Sequence, residues 1–213
     1  MAVMTAAQTT SPADRPPLGL RERKKIKTRT AIRTATFGLI EEQGYEATTV
    51  EQIADRAEVS PSTVFRYFPT KEDIVLTDEY DPLMLADLRQ RPADEPLLES
   101  VRFLVRRAVA LGFTESPDLV RLRMRLMVDV PAVRSRAMES LSATGGVLCR
   151  GIGERTGRDP GSLEVRIWAM ALVGGMMEAS LYWAENGYRD DLAELFDRAV
   201  EILAHGPGVR ENP

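Results

Sequence analysis

Cysteine and histidine are almost absent from this chain: Cys149 and His205 stand alone in 213 residues. One cysteine excludes an internal disulfide, and one thiol with one imidazole cannot build the ligand sets that hold zinc within a single chain. The same two residues are the only nucleophile-and-base pair available, and they fall on different expected helices. His205 precedes Gly206-Pro207 at a helix end, where an imidazole caps carbonyls and complements the helix dipole, and Cys149 reads as core. Adjacent acids such as Glu41-Glu42, Glu72-Asp73 and Asp190-Asp191 cannot face one substrate from the same side of a helix. Neither catalysis nor a cofactor or metal is expected. Long apolar runs are missing too, so no membrane span is expected. The opening MAVMTAAQTTSPADRPP lacks the charged-then-apolar order of a secretory leader, and a cytoplasmic protein is the expectation.

The apolar fraction, 44%, is ample for a core, and the net charge is −4. That charge is unevenly spread. From Arg15 to Arg33 there are eight bases and one acid, a local +7 that leaves −11 for the remainder. A basic stripe on an acidic body suits a modular DNA binder, because attraction to phosphate is local. A solvated basic helix face is the plain alternative.

Residues 1–19 show no periodicity and read as a disordered tail. From Leu20 to about Gln43, the spacing of Ile32, Ala35, Leu39 and Ile40 predicts a helix that Gly44 ends. Thr48 and Glu51 have the spacing of a capping box before Val50, Ile53, Ala54 and Ala57. Ser60 as N-cap with Pro61 opens a third helix, closed by Pro69, with Val64 and Phe68 inward. Thr70 and Asp73 open a fourth, expected to run to Arg91 with a bend at Pro82. Further helices are expected near 97–113, 118–128, 131–156, 161–186 and 190–205. The fold class is all-α.

Two short helices joined by a tight turn form the helix-turn-helix pattern. Opposite Val64 and Phe68, the third helix presents Ser62, Thr63 and Arg66, flanked by Phe65 and Tyr67. Arginine can pair bidentately with guanine, hydroxyls with bases or phosphate, and an aromatic ring with a thymine methyl. Phe65 and Tyr67 could instead be core, with Arg66 merely solvated.

The run GYEATTVEQIADRAEVSPSTVFRYFPTKEDIV, residues 44–75, resembles the DNA-binding domain of the TetR family. It shares the Gly-Tyr, Thr-Thr-Val, Ile-Ala, Val-Ser, aromatic-rich recognition helix and Lys-Glu-Asp in order. The resemblance implies that Thr49 and Lys71 hold phosphates and that Ser60, Ser62, Thr63, Phe65, Arg66 and Tyr67 occupy the major groove. Arg21, Lys24, Lys25 and Lys27 then form an arm that adds affinity, with the minor groove within its reach. At Glu58 the family usually has glycine, so a slightly altered turn is expected, since a side chain at positive φ costs about 1 kcal/mol.

A single helix-turn-helix reads few base pairs, so a homodimer on operator DNA is expected. Ala171, Gly175 and Ala179 form a small-residue stripe, and Leu195 and Phe196 lie on the apolar face of the last helix. The resemblance places the dimer interface there as a four-helix bundle, while internal packing is the plain alternative. For a small-molecule effector, Phe103, Met124, Met127, Trp168, Met176 and Tyr182 are candidate pocket residues, within a wider set that includes Met177. Residues 121–141, RLRMRLMVDVPAVRSRAMESL, resemble the C-terminal domain of regulators grouped with the mycofactocin regulator, which implies an acyl-CoA-like ligand. Arg121, Arg123, Arg125, Arg134 and Arg136 could meet its phosphates, or be solvated or paired with acids.

The organisation expected is a tail over 1–19, a DNA-binding unit over 20–76 and an effector-binding, dimerising unit over 77–213. The expected function is a ligand-released repressor. The alternatives are a helical interaction module without specific DNA binding and an activator of the same fold.

Overall fold

A computed structural model of the chain describes residues 19–77, 81–115 and 117–206, with the backbone alone for Glu22 and for residues 81–85 and 113–115. The expected tail lies outside the described residues apart from Gly19. Among the described residues there is no strand, and ten helices follow in order. They are α1 (Leu20–Gln43), α2 (Val50–Arg56), α3 (Pro61–Tyr67), α4 (Lys71–Leu76), α5 (Asp81–Gln90), α6 (Leu97–Glu115), α7 (Pro117–Asp129), α8 (Pro131–Thr156), α9 (Leu163–Glu185) and α10 (Leu192–His205). None of those described is long and apolar enough to cross a membrane.

The helix starts follow local chemistry, with one correction. Thr49, not Thr48, is the N-cap of α2: its side chain accepts the Gln52 N–H, and the Gln52 side chain accepts the Thr49 N–H. Thr48 is buried instead and donates its hydroxyl to the Gly44 carbonyl at 2.8 Å. Adjacent threonines offered two frames, and burial of the first leaves the second at the helix mouth. Ser60 caps α3 through the Thr63 N–H, with Pro61 at the first position, and Thr70 and Asp73 form a reciprocal capping box for α4. The expected bent helix over 71–91 is two helices. Thr77 leaves helical space at ψ 120°, and Pro82 falls as the second residue of α5, where its missing N–H costs no helical bond.

A small core joins α1 to α4: Ile32, Leu39, Ile53, Ala54, Val64, Phe68 and Ile74 are all buried. A second core crosses from this unit into the rest of the chain. Phe37, Ile40, Tyr45 and Val75 pack with Leu122, Leu126, Met127, Val133 and Ala137 of α7 and α8. Position of α4 is therefore coupled to α7 and α8 through close-packed side chains. Towards the C-terminus α9 packs against α8 on one side and α10 on the other. At Gly175 a Cβ would stand 3.0 Å from Leu203 Cδ1, so this glycine lets α10 approach α9 within one chain.

Candidate nucleic-acid interface and effector cavity

The α3 face is built by Val64 and Phe68, which are 0% and 1% exposed and fix the helix against the core. Opposite them Ser62 and Arg66 are exposed, Phe65 is half-exposed, and Tyr67 packs partly on the core beneath the Arg66 guanidinium at 5.3 Å. Ser60 Oγ lies 2.9 Å from both Ser62 Oγ and Thr63 Oγ1, giving a hydroxyl cluster at the helix start. Among the described residues Arg66 has no carboxylate partner. This face can donate and accept hydrogen bonds without first breaking an ion pair.

The turn before α3 accommodates a side chain where the family usually has glycine. Glu58 adopts φ 53° and takes the left-handed position itself. Its N–H donates to Asp55 O, and the Val59 N–H donates to Ala54 O, which closes α2 with the paired bonds of a Schellman motif.

Lys71 is placed differently from the role expected of it. Its ammonium turns inward, donating to the carbonyls of Tyr45 (2.9 Å) and Thr48 (3.0 Å) and lying 3.9 Å from the Tyr45 ring centroid. The neighbouring Glu72 accepts the Tyr45 hydroxyl at 2.6 Å. Burial alone would raise the Glu72 pKa, but hydrogen bonds from Tyr45, its own backbone and Thr70, with Lys71 nearby, outweigh burial and hold it below the ordinary value. Burial, and then the Glu72 carboxylate, push the Tyr45 phenol up, so it stays a donor. Together these bonds tie the first turn of α4 to the loop that leads into α2. Thr49 stays exposed, its side-chain oxygen accepting at the cap.

Arg21, Lys24, Lys25 and Lys27 lie on the first two turns of α1, a helix and not an extended arm. All four side chains are exposed. Arg29, one turn on, stacks over Phe68 at 4.8 Å and so fastens this helix to the end of α3.

Between α4, α7, α8 and α9 lies a cavity of about 370 Å³, lined by Met124, Met127, Met176 and Met177 with polar groups from Asp73, Arg123 and Ser140. Three expected pocket residues, Met124, Met127 and Met176, meet here, and three do not. Trp168 lies eight residues before Met176, about 12 Å along the helix, and packs in the cores around Ile152 and Val200. Tyr182 is five positions beyond Met177, a rotation of about 140°, and faces out between α9 and α10. Phe103 lies 39% exposed under the Arg91 guanidinium in a separate arginine-lined recess on α6.

The sequence reading missed Asp73 as a cavity residue. Its Oδ1 accepts from Arg136 Nε of α8 at 2.8 Å, while Oδ2 accepts from Thr70 at the start of α4. Of the other arginines expected to meet phosphates, Arg134 donates to the carbonyls of Met127 and Val128, and Arg121 lies 3.7 Å from Asp118. Arg123 alone of the five lines the cavity, and Arg125 is exposed.

A second, open groove of about 320 Å³ runs between α9 and α10. Gly175, Ala179 and Leu195, three of the residues expected at a dimer interface, line it; Ala171 lies exposed on the same helix. Phe196 is half-buried and does not line the groove. His205 pairs with Glu201 at 3.1 Å, and the cap of α10 is the Gly206 N–H, not the imidazole.

Residues 32–77 match the family described as bacterial regulatory proteins, tetR family, and residues 95–208 match the MftR C-terminal domain. The chain is 36% identical over 166 residues to the HTH-type transcriptional regulator TcmR of Streptomyces glaucescens, covering 73% of this chain and 74% of that protein. It is 24% identical over 182 residues to a fatty acid metabolism regulator protein of Bacillus subtilis, covering 81% and 91%. Among solved structures it resembles Thermus thermophilus FadR, a repressor in complex with lauroyl-CoA, with TM-score 0.57, 26% identity, and coverage of 87% of this chain and 97% of that one.

Proposed function

The chain belongs to the TetR family of bacterial regulatory proteins, and from that premise we propose how this ligand-responsive transcriptional regulator divides its work. Residues 20–76 form the DNA-binding unit, and 77–213 hold the effector and the dimer contacts. α3 enters the major groove with Ser60, Ser62, Thr63, Phe65, Arg66 and Tyr67, and Arg66 is the residue best suited to pair with guanine. Thr49 contacts phosphate, and Arg21, Lys24, Lys25 and Lys27 follow the backbone as the start of a helix. Lys71 acts from inside, bracing the loop that presents Thr49.

The effector enters the methionine-lined cavity, whose volume lies in the range of small-molecule sites. An acyl-CoA is the proposed class, supported by flexible apolar walls, by the polar group of Arg123 and by the lauroyl-CoA held by the Thermus relative. Ligand-driven release makes the chain a repressor.

One observation carries this reading: Asp73 is at once a wall of the cavity, a member of the α4 capping box and the partner of Arg136 on α8. A ligand that separates α4 from α8 must break that bond. Because α4 begins with Lys71 and Glu72, its displacement pulls on Tyr45 and Thr48 and hence on the mouth of α2.

A gel shift on DNA upstream of the protein's own coding region, with graded lauroyl-CoA, tests the proposal. A discrete complex that survives nonspecific competitor and disappears as lauroyl-CoA rises is expected. Sequence-blind retention, or a discrete complex indifferent to every acyl-CoA tried, would contradict it.

A further inference from the structure

Of the ten large apolar side chains exposed among the described residues, six lie on α9 and α10: Leu163, Ile167, Met170, Tyr182, Ile202 and Leu203. Of these, Tyr182, Ile202 and Leu203 line the groove between the two helices, and an exposed apolar surface of this kind marks an interaction site. Two charges of opposite sign, Glu178 on α9 and Arg198 on α10, interrupt the lining of the groove between these helices. Both are exposed, and among the described residues neither has a hydrogen-bond or ion-pair partner within its own chain. Their behaviour contrasts with their neighbours: Asp197 and Glu201, adjacent on α10, are taken by Arg106 and Arg102 of α6.

The two charges lie at nearly the same level. α9 and α10 are joined by a short turn and run antiparallel, crossing where Leu203 meets Gly175. Glu178 is three residues beyond Gly175, and Arg198 is five residues before Leu203. At 1.5 Å per residue both are displaced in the same direction, by about 4.5 and 7.5 Å, which leaves them about 3 Å apart along the groove. A two-fold dimer is self-complementary, so a residue that meets a given position on its partner is met there in return. An acid and a base at one level on one groove are thus the minimal set for two reciprocal pairs.

With this groove taken as the dimer face, we infer that Glu178 of each protomer pairs with Arg198 of its partner across the two-fold axis. The inference rests on the reading of α9 and α10 as the dimer face and adds what fixes their register. In an apolar setting an unpaired charge is costly and an unlike pair is tolerated, so these residues reject misaligned or foreign partners more than they add affinity.

Charge reversal in full-length chains tests it, with dimer dissociation followed by sedimentation of fluorescently labelled protein. Glu178→Arg and Arg198→Glu should each raise the dissociation constant at least about a hundredfold, because each homodimer then places like charges together. An equimolar mixture of the two should recover wild-type affinity, since both pairs in the heterodimer are again unlike. Exposure of both side chains means the protomer fold should be retained, and helical circular dichroism checks this; should a reversal unfold the chain, Glu178→Gln and Arg198→Gln give a smaller loss in the same direction. Single variants that dimerise like wild type would overturn the pairing, as would weakened variants whose mixture is no tighter than either alone. A wild-type chain that is monomeric throughout would instead overturn the dimer reading beneath it.

Discussion

Arginine behaves differently in the two halves of the molecule. Beyond residue 80 many arginines are consumed by the fold, although Arg198 is not, and before that point Arg56 is likewise held by Glu42. Arg89 is held by Glu154, Arg91 by Glu95, Arg102 by Glu201, Arg106 by Asp197, Arg107 by Asp87 and Arg136 by Asp73. Arg155 closes the α5–α6 connection by donating to the carbonyls of Arg91, Pro92 and Glu95. On α3, Arg66 has only a tyrosine ring beneath it. A guanidinium stacked on an aromatic face keeps its donors for an incoming partner, whereas one locked to a carboxylate does not. Charge counts therefore do not measure charge that is available. The −11 carried outside the basic stripe includes the acids that occupy the C-terminal arginines.

The sharpest way to break this contrast is to remove one arginine from each set. Arg66→Ala should weaken specific DNA binding by about 1 to 3 kcal/mol and relax the preference at one base position, while thermal stability stays within about 0.5 kcal/mol. Operator titration and melting curves read the two effects, and unchanged sequence preference would remove Arg66 from base readout. Arg136→Met lies far along the chain from α3, yet should weaken operator binding about two- to thirtyfold and blunt the response to lauroyl-CoA. Full retention of both properties would mean that the Asp73–Arg136 bond plays no part in coupling.

Smaller effects sharpen the picture around the turn. Glu58→Gly removes a side chain from a left-handed position and should stabilise the chain by about 1 kcal/mol in denaturant unfolding. A loss of stability would show that the Glu58 side chain has a compensating role. Lys71→Met should weaken all DNA sequences alike but leave the salt slope unchanged, because its ammonium is spent on carbonyls. A slope reduced by about one would place it on a phosphate after all. The weakest expected effect concerns acid. Glu72 is held below its ordinary pKa, so its contribution is present at neutral pH and is lost as pH falls through that lowered value. Tyr45→Phe removes a hydrogen bond to the ionised form and should move the onset of acid unfolding to higher pH; an unmoved onset would contradict this.

Much of the fold was legible because it rests on local signals. α1 and α8 begin and end where periodicity, Gly44 and Pro131 place them, and the α3 face follows from two inward residues at helical spacing. Capping between adjacent threonines was not legible, since burial decides it. Nor was the break after Leu76, where Pro82 reads equally as a bend within a helix or as the start of a new one. The cavity was half legible: methionines on α7 and α9 converge, but Phe103, Trp168 and Tyr182 have the same composition signal and face elsewhere. Arg136 could not be assigned from sequence, because its partner Asp73 belongs to the other end of the chain and already serves in the α4 capping box.

The central claim is that one conformational equilibrium links α3 to the cavity, and linkage makes it testable with a single cycle. Lauroyl-CoA affinity should be measured on the full-length chain by calorimetry, free and saturated with operator DNA, beside operator affinity with and without lauroyl-CoA. The expected result is that each ligand weakens the other by the same factor. Lauroyl-CoA binding that operator DNA leaves unchanged would contradict the claim, whatever the affinity of either ligand alone.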